Sequence, residues 1–145
     1  MTRPALELYN HQETQPVSLE TWQSQATRSL PAVLAASRSP DASLHHVEIV
    51  EISFVSDDAI AQVHDDFMMD PTTTDVITFH HGEIIISLDT AQRQAAENGE
   101  PYNREVLRYI IHGLLHLAGW DDREEADRKA MHEVQEKIIR SILPT

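Results

Sequence analysis

At 145 residues the chain is the size of one domain, and its lack of cysteine excludes a disulfide framework, a thiolate zinc site and a cysteine nucleophile. Its 24 acidic against 11 basic residues, a formal net charge of −13, argue against broad binding to a phosphate backbone, though not against a local basic groove. No apolar run approaches the ~18 residues of a membrane span, and the first residues do not join a charged n-region to an apolar h-region, so a cytoplasmic protein is expected.

"RPALELYN" places Leu6 and Leu8 on one side of an extended chain and predicts a strand. "SLETWQSQATRSLPAVLAASR" puts Leu19, Trp22, Ala26, Leu30 and Val33 on one face of a helix, opened by a partial capping box from Ser18 to Thr21 and interrupted or kinked at Pro31. After the turn "SPDAS", alternation of Val50, Ile52 and Phe54 with Glu51 and Ser53 predicts a second strand. Ser56 and two acids then start a helix whose apolar side is Ile60, Val63, His64 and Phe67.

Two β-branched runs, Val76 to Phe79 and Glu83 to Ser87, flank His80, His81 and Gly82 and read as a hairpin. Asp89 and Thr90 are expected to cap the next helix, which Gly99 ends. "NREVLRYIIHGLLHLAG" is apolar over nearly all its surface, which predicts a central buried helix. The last helix should carry Ala126, Met131, Val134 and Ile138 inward. Strands and helices in this order make an α+β or mixed α/β layer fold, one domain over residues 1–145.

Within the central helix, His112 and His116 stand at i and i+4, about 6 Å apart on one face, and can offer imidazole nitrogens to one ion. Metalloprotease helices share this spacing, but Gly113 stands where they carry a glutamate general base. Gly119 ends the helix and Asp122 brings a carboxylate back toward the same ion, with Asp121 as the fallback third ligand. Two histidines and an aspartate leave a fourth tetrahedral position for water, the layout of a catalytic zinc site, although either aspartate could instead cap the last helix. The same donors suit other first-row divalent ions.

The stretch His112-Gly113-Leu114-Leu115-His116-Leu117-Ala118-Gly119-Trp120-Asp121-Asp122 resembles the signature of the YbeY family of bacterial single-strand-specific endoribonucleases, His-Gly-x-Leu-His-Leu-x-Gly-Tyr-Asp-His. "TTDVITF", Thr73 to Phe79, resembles the family's Thr-Asn/Asp-Val-Leu-Ser-Phe segment, and "GEIIIS", Gly82 to Ser87, its Gly-Asp/Glu-Ile strand. The resemblance implies a small α+β domain with a four-stranded mixed sheet. It also implies one zinc ion on His112, His116 and Asp122, and a metal-dependent hydrolase that cleaves single-stranded RNA in ribosomal RNA maturation and ribosome quality control. Ribosomal proteins are further partners it suggests. Thr74, Asp75 and Ser87 would belong to the substrate groove, with Thr74-Asp75 and the strand Gly82 to Ser87 as one wall and the metal helix as floor.

The chain departs from the family pattern in three places: Asp122 replaces the third histidine, Trp120 replaces tyrosine, and Met68 stands where most members carry a groove arginine. Phosphodiester cleavage develops charge on phosphate oxygens, so Arg104, Arg108 and Arg123 are candidates to compensate. Two other functions fit the residues: a zinc hydrolase of another substrate such as peptide, and a non-catalytic ribosome-associated domain with a residual metal site.

Overall fold

The computed structural model describes residues 3–70 and 74–143; Thr73, the first residue of the family-like segment, lies outside them. Strands β1 (Ala5–Asn10), β2 (Ile49–Val55), β3 (Val76–Phe79) and β4 (Glu83–Ser87) form one sheet in the order β1-β2-β4-β3. β1 pairs with β2 and β2 with β4 in parallel, whereas β3 and β4 form the expected antiparallel hairpin. Among the described residues five α-helices accompany the sheet: α1 (Leu19–Ala35), α2 (Asp57–Met68), α3 (Leu88–Asn98), α4 (Tyr102–Leu117) and α5 (Glu125–Ile142).

Side chains alternate across the sheet and so divide the interior in two. Val50, Ile52, Phe54, Ile84 and Ile86 join the main core with α1, α4 and α5, while Val55, Ile77 and Ile85 face Ile60 of α2 on the other side. Helix α4 is buried on most of its surface, including Val106, Leu107, Ile110, Ile111, Leu114, Leu115 and Leu117. Each such fully buried aliphatic side chain stabilises the fold by ~1.5–3 kcal/mol. Among the described residues no helix is long and apolar enough to cross a membrane.

Several local expectations are corrected. Helix α1 continues through Pro31 to Ala35, because Pro31 lies on its exposed side while Leu30 and Val33 anchor the other. Ser18 stands at the N-cap but its side chain caps nothing. Helix α3 starts directly from the sheet: its first turn is capped by Ser87, whose Oγ accepts the Thr90 amide at 3.2 Å, and not by Asp89 or Thr90. Phe67 is 68% exposed, since the end of α2 reaches past the small core, and its ring meets that of Phe79 in an edge-to-face pair with centroids 5.1 Å apart. On α5, Ala126 is exposed and Gln135 is buried in line with Met131, Ile138 and Ile139.

Candidate metal centre

Helix α4 lies against the sheet through Gly113, where an added Cβ would come within 2.8 Å of Ile84 Cδ1 and Cγ2. The glycine that takes the place of a protease glutamate therefore serves close packing. With that face against the sheet, His112 and His116 point into a cleft beside β3. Gly119, at φ 97°, reverses the chain in a conformation that L side chains rarely adopt, and Asp122 returns to the histidines.

The Nε2 atoms of His112 and His116 lie 3.1 Å apart, and Asp122 Oδ2 is 3.3 Å from the first and 3.5 Å from the second. Each ring is held from behind. His116 Nδ1 donates to the Trp120 carbonyl at 3.0 Å, and His112 Nδ1 donates to Gln135 Oε1 at 2.8 Å. Trp120 is itself anchored: its indole N–H donates to the Ala36 carbonyl at 2.9 Å and the Arg38 guanidinium lies 4.6 Å over its ring. The tryptophan in the tyrosine position thus ties the ligand turn to the end of α1.

With both Nδ1 atoms donating, rings in the neutral form present bare Nε2 lone pairs to each other and to a carboxylate oxygen. Three acceptors within 3.5 Å of one another repel unless a cation lies between them. Burial lowers the pKa of His116, and the neighbouring His112 lowers it further, against the opposing pull of Asp122, which favours the neutral ring that a metal needs. The donor set fits a first-row divalent ion with an open coordination position.

Asp121 does not join this cluster: Arg123 binds it through the backbone amide at 3.0 Å and the guanidinium at 2.8 and 2.6 Å. Neither aspartate caps α5, whose N-cap is Glu124. The cleft has a volume of about 430 Å³, and Met68, Thr74, Asp75, Thr78 and His80 face the His-His-Asp group across it. Its strand wall is therefore β3, not β4, which runs inside the sheet. Ser87 at the end of β4 is fully buried and donates to Asp57 Oδ1 at 2.7 Å, so it is not a groove residue.

The candidate cations separate as clearly. Arg108 is held by Glu136 at 2.8 and 2.9 Å, by Glu100 at 2.5 Å and by Glu105, so its charge is already matched within the protein, although it lines a smaller hollow next to His112. Arg104 lines neither the cleft nor the smaller hollow beside it. Arg123 lines the cleft but is paired with Asp121. Gln135 was invisible to a search for metal ligands; the signal was a polar residue on the apolar stripe of an amphipathic helix.

A four-stranded mixed sheet with a histidine pair on its central helix and an aspartate on the following turn is the arrangement of a small α+β metal-binding hydrolase. The family model described as endoribonuclease YbeY matches residues 7–143, and the chain belongs to that family of nucleases. It is 32% identical over 137 residues to the endoribonuclease YbeY of Synechococcus sp. (strain RCC307), covering 84% of this chain and 80% of the relative. With the endoribonuclease YbeY of Desulforamulus reducens it shares 37% identity over 120 residues, covering 72% and 74%. The solution structure of TM1509 from Thermotoga maritima has the same fold, with a TM-score of 0.63 at 24% identity over 94% of this chain and 88% of that one.

Proposed function

We propose that this protein is a zinc-dependent endoribonuclease that cleaves single-stranded RNA in the cytoplasm, in ribosomal RNA maturation and ribosome quality control. Family membership supports the reaction class. The observation that carries the metal is the convergence of three lone-pair donors, His112 Nε2, His116 Nε2 and Asp122 Oδ2. Zinc held there would supply a Lewis acid and an activated water for phosphodiester hydrolysis. Thr74 and Asp75 would contact the strand from the opposite wall, and Arg123 is the arginine of the cleft lining available to a phosphate once it leaves Asp121.

A ribosome-associated domain with a residual metal site is favoured by one feature, Met68 at the cleft rim in the place of the family's arginine. Elemental analysis combined with cleavage of a single-stranded RNA, with a peptide in parallel, tests both readings. One zinc per chain and RNA cleavage that His116→Ala abolishes is the expected result. Bound zinc without cleavage of either substrate would favour the residual site, and cleavage of the peptide alone would make the chain a hydrolase of another class.

A further inference from the structure

We propose that Gln135 is a positioning residue for the metal centre, fixing which nitrogen of His112 faces the ion. The inference rests on the metal reading above and extends it from the cleft to the buried face of α5. A neutral imidazole can present either nitrogen to a metal, and the hydrogen bond made by the other one selects it. For His116 a backbone carbonyl makes that selection, and no side-chain substitution removes a carbonyl. For His112 the choice falls to a side chain on another helix.

An amide could present its oxygen or its nitrogen to His112, and the next residue decides. Gln135 Nε2 donates to Glu136 Oε2 at 3.2 Å, and a carboxylate can only accept, so Oε1 is left for the imidazole. Glu136 is in turn fixed by two hydrogen bonds from Arg108. The orientation therefore runs from the Arg108 guanidinium through Glu136 and Gln135 to His112, and ends with Nε2 directed at Asp122. Gln135 is only 4% exposed and its neighbours Met131, Ile138 and Ile139 are packed in the core, so the amide has little freedom to turn. The charge-matched arginine thus has a part in the site through Glu136 and Gln135.

The test is zinc affinity, measured by competition with a chromophoric chelator, for the whole chain and for Gln135→Met and Gln135→Glu, with melting curves of the metal-free proteins alongside. Gln135→Met should bind zinc about 10- to 100-fold more weakly. Gln135→Glu, which still accepts from Nδ1–H, should recover the unsubstituted affinity to within a few-fold. Affinity of Gln135→Met within twofold of the unsubstituted chain, or an equal loss in both variants, would overturn the proposal. No zinc binding by the unsubstituted chain would remove the metal reading and this inference with it. Should Gln135→Met not fold, long-range proton–nitrogen spectra of the zinc-loaded unsubstituted protein decide: a proton on Nδ1 of His112 supports the assignment and a proton on Nε2 refutes it.

Discussion

The polar cluster around Asp57 and the group at His112, His116 and Asp122 differ in the balance of donors and acceptors. At the C-terminal end of the parallel strands, Asp57 receives Ser87 Oγ at 2.7 Å, Thr90 Oγ1 at 2.8 Å and Arg93 Nη1 at 3.0 Å. Asp89 beside it accepts the Asp57 amide at 2.9 Å and the Gln15 side chain at 2.9 Å. Burial alone would raise the pKa of Asp57, but the three hydrogen bonds outweigh it and hold the carboxyl below its usual value; Asp89 is held low by the Asp57 amide and by Gln15. Open α/β sheets commonly bind ligands at this edge. Here the protein has supplied every partner itself, and the edge is a joint between α2, α3 and the segment after β1. At His112, His116 and Asp122 three potential metal-donor atoms converge instead, an arrangement that a cation would complete. A polar cluster marks a binding site when its own hydrogen-bond account does not close.

The largest effect should separate the two clusters outright. His116→Ala is expected to weaken zinc binding by about a hundredfold or more while leaving the metal-free melting temperature nearly unchanged, because metal affinity and fold draw on different groups. A chelator competition assay beside calorimetry reads both. Asp57→Ala should do the reverse: a loss of about 2–3 kcal/mol in urea unfolding, from hydrogen bonds to a charged group and a stranded buried Ser87 hydroxyl, with zinc affinity intact. If Asp57→Ala released zinc, the clusters would not be independent.

The sign of the pH dependence follows from the same contrast. Asp57 and Asp89 have folded pKa values below their unfolded ones, so the stability they contribute is fully present above about pH 4 and is lost as pH falls through the folded values. Melting curves of Asp57→Asn should accordingly fall less steeply than those of the unsubstituted chain on acidification below about pH 4. The smallest expected effect lies across the cleft. Met68→Arg should raise kcat/KM on single-stranded RNA several-fold and steepen its logarithmic salt dependence by about 0.7, one more phosphate of a single strand being neutralised. An unchanged salt slope would mean that the strand does not pass residue 68.

Much of this was legible in the residues. Period-two alternation marked β2, two β-branched runs around a glycine turn marked the hairpin, the apolar continuity of α4 marked the central helix, and the spacing of His112, His116 and Asp122 marked a group that the fold brings together, because each signal lies within a short stretch of chain. What the chain did not disclose depends on partners distant in sequence. Strand order buried β4 and moved the groove wall to β3, so Ser87 became a cap and a donor instead of a groove residue. Arg108 reads as a spare cation until Glu100, Glu105 and Glu136 are brought around it. Pro31 breaks helices in general, yet a buried face on both sides of it carried α1 through.

The mixed sheet also carries an order in time. In the hairpin Phe79 pairs with Glu83, whereas Leu6 of β1 finds Val50 only after all of α1 has been spanned. Closing that long loop costs more chain entropy than closing the hairpin, and parallel pairings of distant segments form slowly. His112, His116 and Asp122 lie close together in sequence, on α4 and the turn that follows it, although that turn is anchored on the end of α1 through Trp120. In refolding, the amides of the β3–β4 hairpin are expected to gain protection before those of β1, which pulse-labelled hydrogen exchange would check.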